Sequence, residues 1–357
     1  MIHSIRRSIR PLWLILVVGW LAMPPALAVA VQDLYQTEVP IEQDTQAQRA
    51  AAFREAMGTV LVRLTGRPDA AASPDTEEIR RAAERYVQQY RMTREGKLWV
   101  SFDRVSVDAE LARRGLPIWG VERPAVLLIL AVDQGGGQRF VLSAEDEVPD
   151  PVAGELRDRM EALSSSRGLP IVLPLMDAQD QTVISFSEAW GGFDQALEAA
   201  GARYGTDSVL LGRVMMDAQY RVRWTLFSGD QSYRWTGGID DGINGASDRF
   251  AQRYAVTTGA AVEGEVGLAV TNISSLADYA RTLSFLEGLT AVRSVSVRRL
   301  QDDTVIFGLQ LIGSVENVDR AIRLANLLQP QSGARPDFSA PDSPDSRPVI
   351  LFYRLLP

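Results

Sequence analysis

The sequence predicts an α+β protein of several domains, in which mixed α/β sandwich units precede a C-terminal ferredoxin-like domain of βαββαβ order. Three observations lead there. Residues 125–256 alternate strand and helix patterns and then pass through a meander of strands, as a mixed sheet with helices packed on it requires. Residues 265–328 read strand, helix, strand, strand, helix, and "VILFYRL" (Val349–Leu355) supplies a closing strand for the split order. Both helices of that unit carry an apolar stripe at helical spacing: Leu276, Tyr279, Ala280, Leu283 and Leu286 in one, Val315, Val318, Ile322, Ala325 and Leu328 in the other. Such stripes are expected to face a core.

In chain order, residues 1–30 have the layout of a secretory signal peptide. Arg6, Arg7 and Arg10 precede an apolar run from Leu12 to Met23, and small residues follow around Ala28 and Ala30. The run is shorter than the ~20 residues a membrane-spanning helix needs, and Pro24-Pro25 ends it. An N-terminal α+β domain is expected over 31–118. It holds the strand "DLYQTEVPI" and a helix from about Asp44, as N-cap, to Leu64, with Phe53, Met57, Val60 and Leu64 on one face. A second helix, a hairpin turning near Gly96 and a short helix stopped by Gly115 and Pro117 complete it.

A central mixed α/β domain is expected over 119–262. Its strands are Ala125–Val132, a short one after the "DQGGGQ" turn, Pro170–Leu175, and three between Asp207 and Ile239; its helices lie near 152–165, 193–204 and 243–256. The ferredoxin-like domain spans 263–357. A polar linker over 329–347, rich in Pro, Ser and Asp, leads to its closing strand at 349–355, expected at the sheet edge beside the first strand; the alternative is a tail offered to a partner by strand addition.

Composition excludes much chemistry. The chain has no cysteine, and its one histidine, His3, lies in the signal segment. Imidazole-based nucleophilic pairs and ordinary zinc sites are therefore absent beyond residue 30, and no metal or other cofactor is expected. The one lysine, Lys97, falls in a hairpin turn, a poor place for a desolvated base. No Walker loop, dinucleotide fingerprint or nucleophile elbow occurs. The net charge of −8 becomes more negative once the signal arginines are removed, which argues against nucleic acid and anionic lipid as partners. No later stretch is long and apolar enough for stable membrane insertion.

Carboxylates are the remaining catalytic candidates. Asp177, Asp180 and Glu188 follow the strand pattern at 170–175, the edge where α/β sheets place their sites, and two carboxylates can act as acid and base. The same residue types serve as turn and capping groups, so both readings stand. A third feature is "LPIWGVERPAVLLILAV" (Leu116–Val132), where Trp119, Glu122, Arg123 and Pro124 sit between a helix stop and a buried strand. Trp119 needs a packing partner and an acceptor for its indole N–H, and Pro124 holds Arg123 extended. An interdomain joint uses all four residues, whereas the lip of a ligand site, the alternative, would use only some of them.

The phrases "LPIWGVERPAVLLILAV", "GLPIVLPLMD" and "RYGTDSVLLGRV" resemble the exported Gram-negative family catalogued as domain of unknown function 2066, over roughly residues 33–312. The resemblance implies a periplasmic multi-domain α+β protein without an assigned activity, cofactor or catalytic residue. The resulting expectation is a non-catalytic periplasmic scaffold or adaptor whose partner is an envelope or periplasmic protein. Two alternatives compete with it: a small-ligand or glycan-binding module stacking on Trp99, Trp119 and Trp190, and a carboxylate-dependent hydrolase using Asp177, Asp180 and Glu188.

Overall fold

A computed structural model of the chain describes residues 34–145, 150–216, 221–257, 265–331 and 349–356. The expected signal peptide and most of the expected linker lie outside these residues. The described residues are mixed α+β and form three sheets.

The first sheet has three antiparallel strands in the order β1 (Gln36–Pro40), β3 (Lys97–Phe102), β2 (Val87–Met92). Helix α1 (Gln46–Thr65) packs on it with Phe53, Met57, Val60 and Leu64 buried, as their spacing predicts. Burying each such side chain contributes about 1.5–3 kcal/mol. The helix starts later than expected: Thr45 is the N-cap, accepting from the Gln48 N–H, and Asp44 instead pairs with Arg49 at 2.6 Å. It ends at Gly66 with φ 68°, where a Cβ would also meet that of Ala251 at 2.1 Å, so only glycine fits. Helices α2 (Pro74–Arg81) and α3 (Arg104–Arg113) complete this unit.

The second sheet is ordered β5 (Gln138–Val141), β4 (Val126–Gly135), β7 (Ser208–Met215), β8 (Arg221–Ser228), β9 (Gln231–Gly237). Strand β4 runs parallel to β7, and the other pairs in that series are antiparallel. Every side chain from Val126 to Val132 is buried because β4 has helices on both faces. Val126, Leu128, Leu130 and Val132 meet α4 (Pro151–Arg167) and α8 (Asp241–Tyr254). Leu127, Ile129 and Ala131 face the other way, toward the layer of α5 (Ala178–Val183), α6 (Phe186–Gly191) and α7 (Asp194–Arg203).

Residues 170–175 depart from expectation. Only Ile171–Val172 form a strand, β6, which pairs with β4, and Leu175 is exposed. Pro170 and Pro174 flank the pair, and a proline has no N–H to give a ladder.

The third sheet is ordered β11 (Val292–Gln301), β12 (Thr304–Leu311), β10 (Glu265–Thr271), β14 (Val349–Leu355), β13 (Leu328–Pro330). Helices α9 (Leu276–Gly288) and α10 (Val315–Leu324) accompany it. The last strand does lie beside the first, with Leu268 opposite Leu351 and Val270 opposite Tyr353. Two features differ from the expected βαββαβ domain. Strand β14 runs parallel to β10, whereas the split arrangement closes antiparallel, and it is interior, because β13 pairs on its far side. The sheet edge is thus taken by residues 328–330, with Leu328 expected on the preceding helix and 329–330 as the start of the linker. The α10 stripe meets the core through Val318 and Ile322, but the helix ends at Leu324, so Leu328, expected on the same stripe, reaches the core from β13 instead. The α9 stripe does so only in part: Leu286 is buried, but Leu276 is 81% exposed and Ala280 is exposed.

Candidate functional site

Of the four residues expected at a joint, Arg123 and Trp119 are in direct contact through one buried guanidinium. Arg123, 1% exposed, donates from Nε to Gly120 O at 2.9 Å, from Nη1 to Arg167 O and Gly168 O at 3.0 Å each, and from Nη2 to Arg63 O at 2.6 Å and Trp119 O at 2.7 Å. Three of these acceptors lie at the C-terminal ends of α1 and α4, where helix carbonyls lack intrahelical donors and the helix dipole is negative. The arginine takes the role a C-cap has in a single helix, for two helices of different units. Burial pulls its pKa down to about 9, helped by the nearby charges of Arg63 and Arg167, so the group stays cationic at neutral pH.

Trp119 lies beneath it, 1% exposed, with the guanidinium carbon 3.9 Å from the ring centroid. Its backbone N–H donates to Leu64 O at 2.6 Å. The expected acceptor for the indole N–H is not found: Nε1 is buried and has no hydrogen-bond partner among the described residues. The ring is placed by stacking and by the close approach of Gly66, and the polar edge is left over.

Gly120 and Glu122 extend the joint to the third unit. A Cβ on Gly120 would stand 1.7 Å from Thr290 Oγ1, and that hydroxyl donates to Glu122 Oε2 at 3.1 Å. Burial raises the Glu122 carboxyl above its ordinary range. Ile118 and Val256 exchange backbone hydrogen bonds at 2.9 Å beside them, and Pro124 is buried.

Two more buried arginines, which the sequence reading missed, reinforce the contact. Arg63 donates to Ser165 O at 2.8 Å and Gln36 O at 2.5 Å. Arg167 donates to Gly66 O at 2.8 Å and pairs with Asp248 at 2.5 Å. Their position in the last turn of a helix was the one signal available.

Asp177 and Asp180 come together, but around Arg203. Asp177 is the N-cap of α5, accepting from the N–H groups of Gln179 and Asp180, and it pairs with Arg203 at 2.6 Å. The Arg203 hydrogen bond, seconded by those N–H groups, holds its carboxyl far below the usual carboxylate range. Asp180, 1% exposed, is bound by Arg203, by Tyr204 Oη at 2.5 Å and by the Met176 N–H at 2.9 Å. Burial and the bond to Asp180 push the Tyr204 phenol up to about 12. Glu188 stands in the first turn of α6, where Ser185 caps its N–H. This is the geometry of a charge-assisted clasp between α5 and α7, with both Asp carboxylates already saturated.

The three tryptophans proposed as stacking platforms do not share a surface. Trp119 is roofed by Arg123, Trp99 on β3 has Arg91 at 4.9 Å, and Trp190 on α6 stacks on Phe186 at 5.3 Å. Among the described residues, no group of three or more His, Asp or Glu side chains is placed to hold a metal ion, and no helix is long and apolar enough to cross a membrane.

Residues 265–355 match the family model described as DUF2066. The third unit is a DUF2066 domain. The match runs from β10 through β14 and so takes in the inserted last strand. Residues 28–120 match a different model, described as "Domain of unknown function (DUF8605)". The phrases that suggested the first family all lie N-terminal to residue 265, so its extent along the chain is corrected: the DUF2066 domain follows them. Searches of curated proteins and of solved structures found no match.

Proposed function

We propose that the chain is a non-catalytic scaffold or adaptor of the cell envelope, working in the periplasm after residues 1–30 are removed. One observation carries the reading. A single buried guanidinium bonds to the ends of α1 and α4 and to the Trp119–Gly120 turn, and that turn is fitted against Thr290 of the DUF2066 domain. Three units tied in this way offer one continuous surface with fixed spacing, which an adaptor needs and a single-site enzyme does not. The Arg203 clasp adds support, since carboxylates saturated by a cation are poorly suited to proton transfer.

Cross-linking in intact cells, followed by fractionation and N-terminal sequencing, tests this. The expected result is a processed chain in the periplasmic fraction, cross-linked into a discrete complex with another envelope protein. A chain that stays uncross-linked, or a hydrolytic activity lost in an Asp177→Asn, Asp180→Asn variant of unchanged fold, would overturn it.

A further inference from the structure

The chain is acidic, but its second sheet carries a concentrated basic face. Strands β7 and β8 pair with Arg213 directly opposite Arg223 and Met215 opposite Arg221, and β9 sets Arg234 opposite Thr225. Directly opposed residues share a face, so four arginines stand on the side of the sheet that bears Leu211 and α6. Arg221, Arg223 and Arg234 are exposed and make no ion pair or hydrogen bond among the described residues.

Among the described residues Arg213 reaches only Trp190 O at 3.4 Å and Thr225 Oγ1 at 3.5 Å, and its Nε is buried without an acceptor there. Burial, and then the charges of Arg223 and Arg234, pull its guanidinium below the ordinary range. Like charges directly opposed across a ladder destabilise a sheet. A fold that keeps them, in a protein with a net charge of −8, retains a cost that a bound anion would offset.

We propose that this face docks an extended acidic segment of a partner protein. The claim rests on the adaptor reading and names the partner's chemistry. Same-face side chains on β8 recur about every 6.8 Å, the repeat of alternate residues in an extended acidic peptide, and a guanidinium pairs with a carboxylate through two parallel bonds. The rim is apolar, with Phe193 and Met215 exposed. Arginine, aromatic residues and methionine are the types enriched at protein interfaces. The chain's overall negative charge disfavours an anionic membrane as the occupant.

The test uses the full processed chain and a fluorescein-labelled peptide of alternating Glu and Ser, with a Gln-Ser peptide and vesicles of phosphatidylcholine and phosphatidylglycerol as comparisons. The Glu-Ser peptide is expected to bind, to weaken as salt rises, and to lose about tenfold or more in affinity with Arg221→Gln, Arg223→Gln and Arg234→Gln combined. That variant is expected to melt higher than the parent, because the repulsion is gone. Lysine at the same three positions keeps the charge without the fork and is expected to bind at intermediate strength, which separates binding from folding.

Equal binding by parent and glutamine variant, or binding to the vesicles in place of the peptide, would overturn the proposal. Cross-linked complexes in cells that survive the glutamine substitutions would refute this face and leave the adaptor reading standing. Peptide binding that needs the arginines, in a chain that forms no complex in cells, would do the reverse.

Discussion

Arg123 lies over the face of Trp119 and also bonds to that residue's carbonyl, so one side chain fixes both the ring and the backbone of its neighbour. The pair is expected to be strongly coupled. Trp119→Ala should cost about 3–5 kcal/mol, as loss of a buried indole does. Arg123→Lys should cost at least about 2 kcal/mol, since each buried carbonyl left without a donor costs about 1–3 kcal/mol. A double-mutant cycle by urea denaturation should show the two losses failing to add by about 0.5–3 kcal/mol. Additive losses would mean that the ring and the guanidinium act independently.

Gly120 gives a graded test of the contact with the DUF2066 domain. Gly120→Ala should lower the melting temperature, because its Cβ would fall 1.7 Å from Thr290 Oγ1 and 2.7 Å from Thr290 Cβ. Thr290→Ala in that background should restore part of the loss and Thr290→Gly more of it. Failure of either to rescue would show that the two residues are not in contact.

The Arg203 clasp predicts a specific acid response. Asp177 has its pKa depressed in the folded chain, so its contribution is present above the unfolded value of about 3.9 and is lost as pH falls through the lower folded value. Melting curves recorded from neutral to strongly acid pH should fall more steeply below about pH 4 in the parent than in Arg203→Gln. Parallel curves would mean that the pair is not formed in solution.

Removing residues 349–357 should separate β13 from the sheet and bare the β10 edge, giving a DUF2066 domain that aggregates. In the intact chain, the amides of Leu351–Leu355 should exchange slowly with solvent, as those of an interior strand do. Fast exchange there would place the segment outside the sheet.

Long periodic elements were legible in the sequence and short ones were not. α1 declares itself through Phe53, Met57, Val60 and Leu64, and β4 through an aliphatic run that only a strand covered on both faces can bury. α5 and α6 are six residues each, too short for a helical period to repeat. Asp177 as N-cap and the Ser185–Glu188 spacing were the only marks of their starts. β13 escaped because three residues ending in proline carry no alternation.

That Trp119, Arg123 and Pro124 pack closely was legible, but not the bonding there. Arg123's acceptors are main-chain carbonyls, which have no signature in a sequence. The basic face was readable in principle, since Arg221 and Arg223 alternate with the buried Val222 and Trp224. A charge total conceals it, because 45 acidic residues elsewhere outweigh it.

The position of β14 sets an order of events during synthesis. β10 and β13 both leave the ribosome before the strand that joins them, and the roughly 25 residues after β13 take about 1–5 s to translate. For that interval β10 has one ladder partner, β12, and an open edge lined by Val266, Leu268 and Val270. This unit therefore cannot complete its sheet until residues 349–355 have been made. Its C-terminal segment acts as a timer as well as a strand.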